Sequence, residues 1–487
     1  MKDNEKIFDG ITGIRDDLVE GAQQQELRPK RPARRRWLGA VAAVLAVALV
    51  AGYFFWPGSS PAATDAYAVS EAQYPQMAPY PDENKYIAAD GSFDSDGFSQ
   101  VYEAWWEDQR AQRRAAGYAD GLEGFFTAGT RQFLSGSAGE NLAYSPLNVY
   151  MALAMLAELT GGESRAQILD LLGADSIEAL RQQASDVWNA SYRSDGAVES
   201  ILASSVWLNE DVSFNQDTMD TLADTYYASS FRGEMGSADF NKALQDWLNE
   251  QTGGLLSDQT GGIELEPETV LALATTVYFR AKWNNEFQES GTEPGIFHAA
   301  GGDVTADFMH RRDSSSSYYW AENFSAASLG LENGGRMWFI LPDEGTGTDA
   351  LLEGGAYMEL VLDPESWADQ KFLMVNYSVP KFDISSQTDL TSGLKSLGIT
   401  DVFDPDISDF SPMTDDMDGI FVSQAQHGAR VAIDEEGVSA AAYTVIANAG
   451  SAAPPDEEVD FTVDRPFIFV ITNQDSLPLF TGVVNQL

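Results

Sequence analysis

Few side chains in this protein could carry out acid–base, nucleophilic or metal chemistry. The chain has three histidines, His298, His310 and His427, and no cysteine. A Ser-His-Asp triad or a histidine-rich zinc site therefore has few ways to form, and disulfides, thiol catalysis and thiolate metal sites are excluded. Neither G-x-S-x-G nor H-E-x-x-H occurs in the sequence. We expect no catalytic residues of the protein's own, no metal site and no cofactor.

One stretch could instead be acted upon. Residues 435–455 read E-E-G-V-S-A-A-A-Y-T-V-I-A-N-A-G-S-A-A-P-P, a run of small and β-branched residues. It lacks the large side chains that would bury it in a core, so we expect it to be exposed. Its alanines favour helix, whereas the residues 443–446 favour strand. A surface helix or linker is the simpler interpretation.

A second interpretation comes from the alternation of side chains along an extended strand. In that conformation Val438, Ala440, Ala442 and Thr444 lie on one face, and all four are small enough to fit between packed neighbours. The bulkier Tyr443 falls on the other face. Such a segment could be a loop in one state and a central strand of a sheet in another.

Several motifs resemble those of a known family, the serpins. The hinge-like run Glu435, Glu436, Gly437, Val438, Ser439, Ala440, Ala441 and Ala442 is followed by F-T-V-D-R-P-F-I-F-V-I at residues 461–471. Residues 141–149 resemble the serpin N-x-x-x-S-P-x-S segment, and residues 279–283 resemble F-K-G-K-W. The resemblance extends from about residue 118 to the end of the chain. It implies an α+β serpin fold with three β-sheets, eight to nine helices and an exposed reactive-centre loop.

The resemblance implies a suicide-substrate inhibitor of serine proteases, in which the cleaved loop inserts into a sheet while the protease is still esterified to it. The family spacing, counted forward from Gly437, sets the reactive bond at Ser451-Ala452, with Ala449, Gly450 and Ala453 as neighbours. Counting back from Pro466 gives Pro455-Asp456, which indicates a loop about four residues longer than usual, since extra residues are accommodated after the bond. No Arg or Lys lies near either position, so the expected targets are elastase-like or subtilisin-like. The alternative is a non-inhibitory serpin acting as a cell-surface binding or adhesion protein.

The resemblance also implies a set of residues that govern opening of the main sheet. They are Ser145, Asn148, Thr275, Trp283 and His427. Two of them depart from the family pattern, because Asn148 replaces a serine and Thr275 replaces an asparagine. Both keep side chains that can hydrogen-bond, so we expect an altered polar network rather than a lost one.

The amino-terminal part of the chain has the features of a membrane anchor. Residues 1–36 are polar and end in an arginine cluster, and residues 37–56 carry no charge and have aromatic residues at both ends. About 20 apolar residues suffice to cross a bilayer as a helix, whereas a cleaved signal peptide, the alternative, would have a shorter apolar core. Basic residues before the span favour a cytoplasmic amino end. The net charge of −46 argues against nucleic acid or anionic lipid as partners of the folded part.

These features together predict the organisation of the chain. Residues 1–36 form a cytoplasmic tail, 37–56 a transmembrane signal anchor in the lipid bilayer, 57–117 an extracellular stalk with a short helix, and 118–487 the serpin domain. We expect a monomeric, single-pass protein of the cell membrane, with its serpin domain extracellular. A bacterial, membrane-anchored serpin fits this organisation.

Overall fold

The computed structural model describes residues 64, 66–88, 92–137, 139–252, 263–332, 335–417, 419–422, 425–438 and 457–487. The predicted tail and membrane anchor lie outside these ranges, as do residues 439–456 of the predicted loop. The described residues belong to a compact unit that spans Ala63–Leu487. Among them, no helix is both long enough and apolar enough to cross a membrane.

The described chain forms ten α-helices and 17 strands. Its α-helices are α1 Ser95–Ala111, α2 Glu123–Leu134, α3 Pro146–Leu159, α4 Gly162–Leu171, α5 Ile177–Ser191, α6 Gln216–Tyr226, α7 Ala238–Gln251, α8 Thr348–Gly354, α9 Ala356–Leu362 and α10 Thr391–Ser396. Its strands are β1 Ala68–Ser70, β2 Leu142–Tyr144, β3 Arg193–Ser194, β4 Glu199–Asn209, β5 Ala228–Gly233, β6 Leu271–Lys282, β7 Glu293–Ala299, β8 Gly302–Trp320, β9 Phe324–Gly330, β10 Arg336–Pro342, β11 Gln370–Pro380, β12 Phe382–Asp389, β13 Gln426–Ile433, β14 Gly437–Val438, β15 Glu458–Thr462, β16 Phe467–Thr472 and β17 Pro478–Val484.

The main sheet has the strand order β1-β5-β4-β6-β14-β13-β12, with β3 paired to β4. Helix α7 covers one face of this sheet. Its apolar residues Phe240, Leu244 and Leu248 recur every four positions and pack with Trp207 of β4. A helix with a single apolar stripe buries that stripe against a neighbouring layer.

The other face of the main sheet lies on α3, which is buried on nearly all sides. Ser145 caps this helix by accepting a hydrogen bond from the amide of Asn148 at 3.2 Å, and Pro146 occupies the first helical turn. Both residue types favour these positions, because a serine oxygen satisfies a free amide and proline needs no amide partner there. The S-P motif thus fixes where α3 begins.

The remaining strands form one continuous sheet in the order β15-β11-β8-β9-β10-β16-β17-β2, with β7 paired to β8. Three separate sheets were predicted, whereas the described residues form two. The difference arises from β8, which is 19 residues long and pairs with β7, β11 and β9 along its length. Strand β8 therefore joins two groups of strands into a single sheet.

Part of the predicted stalk packs on the domain. Strand β1 pairs antiparallel with β5 at the edge of the main sheet, and the Tyr67 ring lies 5.0 Å from the Phe240 ring of α7. The compact unit therefore begins at residue 63, whereas the family resemblance in the sequence begins near residue 118. The segment 57–97 has no sustained periodicity, but in its described part the isolated tyrosines Tyr67, Tyr74 and Tyr80 supply apolar area that packs on the domain.

Helix α1 also packs on the domain rather than standing free. Its Trp105 side chain is buried and meets the Tyr80 ring edge-on, with 5.1 Å between the ring centres. The backbone amide of Tyr80 donates to the carbonyl of Asp195 in the β3–β4 turn at 2.7 Å. The next residue, Trp106, stays partly exposed beside the guanidinium of Arg110.

Candidate functional site

The hinge residues enter the main sheet between two parallel strands. Gly437 pairs with Lys282 and Val438 with Ala281 of β6, while Val438 also pairs with Ile433 of β13. Strand β14 is antiparallel to both neighbours, so β6 and β13 are parallel to each other. In the part of the chain that the structure describes, no further strand pairs with these two facing edges. We call the position between β6 and β13 the slot.

Side-chain alternation along β6 defines the two faces of the slot. Phe279 and Ala281 belong to the main core beneath the sheet, whereas Ala272 and Ala274 pack against the α7 side. Residues directly opposite each other in an antiparallel pair point to the same face. Val438, opposite Ala281, is only 2% exposed and belongs to the same core. Its even-numbered position is therefore the inward one, as the alternation in the sequence predicts.

Gly437 has no room for a side chain. A β-carbon at this position would lie 2.3 Å from the carbonyl oxygen of Ala281 and 2.7 Å from the α-carbon of Lys282. Both contacts are with backbone in the interior of the sheet, which cannot move aside as a flexible side chain can. The backbone of β14 can approach β6 this closely only because residue 437 is glycine.

Hydrogen bonds from backbone and side-chain groups hold the backbone of the turn before β14. The Asp434 carboxylate accepts from the amides of Glu436 and Gly437, at 3.0 and 3.2 Å. The Trp283 amide donates to the carbonyl of Glu436 at 3.0 Å, and the Trp283 indole donates to the carbonyl of Asp434 at 2.9 Å. The amide of Phe287 donates to the carbonyl of Glu435 at 2.9 Å. The start of the loop is thus fixed to the end of β6.

The Glu435 side chain adds an ion pair to this anchorage. Its carboxylate accepts from the Lys381 ammonium at 2.7 Å and from the Thr292 hydroxyl at 2.8 Å. Burial alone would raise the pKa of Glu435, but the hydrogen bonds from Lys381 and Thr292 outweigh it and hold the pKa below its usual value. The same contact with Glu435 raises the pKa of Lys381. Both groups are therefore charged near neutral pH.

A second buried carboxylate lies near this end of β6. The Lys282 ammonium bonds Glu286 at 2.9 Å, and both carboxylate oxygens of Glu332 are buried without a hydrogen-bond partner among the described residues. Burial raises the pKa of Glu332 to about 7, and the positive charge of Lys282 only partly opposes this shift. Glu332 therefore changes its charge close to neutral pH.

The predicted sheet-opening residues divide into two groups. Ser145 and Asn148, at the start of α3, contact His427 of β13 and Thr275 of β6, whereas Trp283 lies at the hinge turn. The amide of Ser145 donates to Nε2 of His427 at 3.0 Å, and the Ser145 hydroxyl donates to the carbonyl of Leu479 at 2.6 Å. The imidazole is neutral in this arrangement, because Nε2 accepts a hydrogen bond. Burial lowers the pKa of His427 to about 4.

The two departures from the family pattern meet at one contact. The Asn148 amide group donates to the backbone carbonyl of Thr275 at 3.2 Å, so Thr275 takes part through its backbone. The side-chain oxygen of Asn148 is buried and has no partner among the described residues. This contact connects α3 directly to the middle of β6.

The structure also identifies residues that the sequence analysis did not single out. Lys381, Thr292 and Asp434 hold the hinge, yet Lys381 is 54 residues distant from Glu435 in the sequence. No local sequence pattern indicates such a contact, and the opposite charges of Lys381 and Glu435 are the one feature of the sequence that is compatible with it. The predicted hinge residues 439–442 lie outside the described residues, as does the predicted reactive bond, Ser451-Ala452 with Ala449, Gly450 and Ala453.

Comparison with known proteins agrees with this architecture. The family model described as Serpin (serine protease inhibitor) matches residues 124–487. Serpin-ZX of Arabidopsis thaliana is 27% identical over 365 residues, which cover 72% of this chain and 92% of the relative. Serpin-ZXA of Oryza sativa subsp. japonica is 29% identical over 374 residues, with 72% and 92% covered.

Solved structures show the same fold. The native-state structure of tengpin, a thermophilic serpin, matches with a TM-score of 0.68 and 25% identity, covering 77% of this chain and 95% of tengpin. Its latent-state structure matches with a TM-score of 0.64, also at 25% identity, covering 77% of this chain and 99% of tengpin. The matched region begins at α2, so α1 and β1 precede it. This chain, with its hinge strand held in the slot of the main sheet, belongs to the serpin family of protease inhibitors rather than to an enzyme family.

Proposed function

We propose that the protein is a suicide-substrate inhibitor of serine proteases that acts by inserting its cleaved loop into the main sheet. The observation that carries the proposal is strand β14, which already occupies the first two positions of the slot between β6 and β13. An antiparallel strand added between two parallel neighbours can hydrogen-bond along both edges. The loop is the segment of chain that continues from β14.

The register of β14 makes the proposal specific. If the chain continued in this register, Ala440 would lie opposite Phe279 and Ala442 opposite Val277, both on the inward face that Val438 occupies. Asn448 would then lie opposite Leu271, where β6 begins. The proposed bond after Ser451 comes three residues later, so the inserted stretch would match the length of β6.

The energy available is sufficient for such a mechanism. About ten newly inserted residues with hydrogen bonds on both edges, at roughly 0.5 to 1.5 kcal/mol each, release on the order of 10 kcal/mol. This amount is comparable to the stability of a whole protein domain, roughly 5 to 15 kcal/mol. An attached protease could therefore be distorted when the loop pulls it along the sheet.

The proposed targets are elastase-like or subtilisin-like proteases. The residues around the proposed bond, Ala449, Ser451, Ala452 and Ala453, are small and uncharged. Small primary pockets accept such residues, whereas a pocket with a buried acid would lack its basic partner. The bond is to be located by mass spectrometry of the fragment released on reaction. Covalent complexes formed only with trypsin-like enzymes, or cleavage confined to residues 445–446, would refute this assignment.

The alternation of faces provides a matched pair of variants. Ala440→Arg would bring a charged side chain to the inward face, where an unpaired buried charge costs several kcal/mol. Ala441→Arg adds the same side chain at the adjacent position, opposite the half-buried Tyr278 on the other face. We expect the protease to cleave Ala440→Arg as an ordinary substrate. Ala441→Arg should trap the protease more efficiently than Ala440→Arg does, as measured by the amount of covalent complex per cleaved molecule. Equal trapping by both variants and the parent would rule out insertion in this register.

We further propose that the protein is a bacterial, single-pass membrane protein whose serpin domain is extracellular. The uncharged segment 37–56 and the basic cluster before it support this proposal. Protease added to intact cells should release the carboxy-terminal domain. Complete protection of the domain, with the membrane shown to be intact, would reverse the orientation.

A further inference from the structure

The outer face of β11 carries an exposed aromatic side chain close to the start of β15. Phe372 is 64% exposed, the largest exposed fraction among the large apolar side chains of the described residues. Its neighbour Leu373 points into the core, so Phe372 and Met374 share the outer face of the sheet. A single exposed apolar residue is ordinary on a protein surface, and the position of Phe372 is what distinguishes it.

That position is set by the pairing of β15 with β11. The two strands are parallel, with Met374 opposite Glu458, and the amide of Met374 donates to the carbonyl of Glu457 at 3.0 Å. The described chain after the predicted loop therefore resumes at residues 457–458, beside Met374. Phe372 precedes Met374 by two residues on the same face, so it lies just before the point where the parallel strand β15 begins.

Polar groups surround this apolar spot. The Arg312 guanidinium contacts the Met374 sulfur at 2.8 Å and forms an ion pair with Glu458 at 3.0 Å. Ser317 lies directly opposite Phe372 on β8. An exposed aromatic group within a polar, solvent-accessible rim is the arrangement found at energetically important positions of protein interfaces.

We propose that Phe372, together with Met374, is a secondary contact surface for the target protease, on the leaving-group side of the reactive bond. This inference rests on the proposed inhibitory function. Four residues lie between Ala452 and Glu457, and the five steps from one α-carbon to the next span at most about 17 Å when fully extended. A protease domain of ordinary size has a radius of gyration near 18 Å. A protease seated on the bond therefore extends over the start of β15.

The experiment measures binding separately from trapping. An elastase-like or a subtilisin-like protease, each with its catalytic serine replaced by alanine, is bound to the immobilised full chain in detergent. Phe372→Ser should raise the dissociation constant about tenfold or more, whereas the dissociation constant of Phe372→Tyr should stay within twofold of that of the parent. Ile407→Ser is the matched control, because Ile407 is 57% exposed and lies outside both sheets. The unfolding midpoint should be the same for all four proteins, since none of the changes alters the core.

The outcomes distinguish the two proposals. Weaker binding by Phe372→Ser, together with covalent trapping of the active protease by the parent, supports both. The same weakening without trapping supports the contact surface and refutes the inhibitory function. Unchanged binding by Phe372→Ser, or equal weakening by Ile407→Ser, overturns the contact surface alone. If the parent binds neither protease, the protease is not the partner of this surface. The same holds if the parent self-associates in sedimentation and Phe372→Ser does not, because Phe372 would then be a contact between copies of this chain.

Discussion

Replacing Gly437 with alanine tests whether the hinge strand lies in the slot as described. The added methyl group would lie 2.3 Å from the carbonyl oxygen of Ala281 and 2.7 Å from the α-carbon of Lys282. Forcing an atom into packed backbone costs roughly 1 to 3 kcal/mol. If the strand shifts instead, it loses ladder hydrogen bonds worth about 1 kcal/mol each. We therefore expect a loss of about 2 to 4 kcal/mol in the free energy of unfolding.

Gly354→Ala provides a control with the same chemical change. A β-carbon at Gly354, the last residue of α8, would meet nothing within 4 Å. Alanine lowers the entropy of the unfolded chain relative to glycine, so this variant should be neutral or stabilised by up to about 1 kcal/mol. Urea unfolding followed by tryptophan fluorescence gives both free energies. In trapping assays Gly437→Ala should also form less covalent complex per cleaved molecule.

One result would refute the reasoning. If Gly437→Ala and Gly354→Ala unfold at the same urea concentration and trap a protease equally well, residue 437 does not lie against Ala281 and Lys282. The register extended to Ala440 and Ala442 would then also be wrong, because it starts from this contact.

Three further predictions concern buried or paired charges. The folded-state pKa of His427, about 4, lies below the ordinary value of 6.5, so the unfolded chain binds more protons between these values. The contribution of neutral His427 to the free energy of unfolding should be full above pH 6.5 and fall by on the order of 3 kcal/mol as the pH drops toward 4. In His427→Gln, whose side chain can still accept a hydrogen bond from the Ser145 amide, the unfolding midpoint should not show this fall between pH 6.5 and 4. The pKa of Glu332, about 7, lies above the ordinary value of 4.5, so ionisation of Glu332 removes stability as the pH rises through this range. Glu332→Gln should therefore raise the unfolding midpoint at pH 8 and leave it unchanged at pH 4, and a midpoint that rises equally at both values would contradict the assignment. Lys381→Ala leaves the partly buried Glu435 without its cation, so we expect a loss of about 1 kcal/mol that Lys381→Arg restores; equal stability of the two variants would show that the ion pair does not hold the hinge.

Local patterns predicted much of the fold. The nearly continuous apolar run from Leu271 to Trp283 forms β6, which ends one residue earlier at Lys282, and the helically spaced residues from Leu122 to Leu134 form α2, Glu123–Leu134. The buried helix expected from Met151 to Leu159 is α3, but it begins earlier, at Pro146, where Ser145 caps its first turn. The inward face of Val438 followed from the period of two in a strand.

Contacts between distant segments were not predictable in the same way. Nothing in the sequence near Glu435 indicates that Lys381 and Thr292 will bind its carboxylate. Thr275 was expected to act through its side chain, but the side-chain amide of Asn148 binds its backbone carbonyl. Packing of the segment around Tyr67 was also missed, since a three-residue edge strand is too short to give a periodic signal.

The anchored hinge has a kinetic consequence for loop insertion by the proposed mechanism. A new strand in a sheet ordinarily needs a nucleation step in which two distant segments meet and choose a register. Here the first two residue pairs exist before any cleavage, so insertion would proceed as elongation from a fixed end. Each residue can enter only after the one before it. A side chain that blocks insertion at one position would therefore also prevent every later residue from inserting. The same substitution should reduce protease trapping most next to Val438 and progressively less toward Asn448.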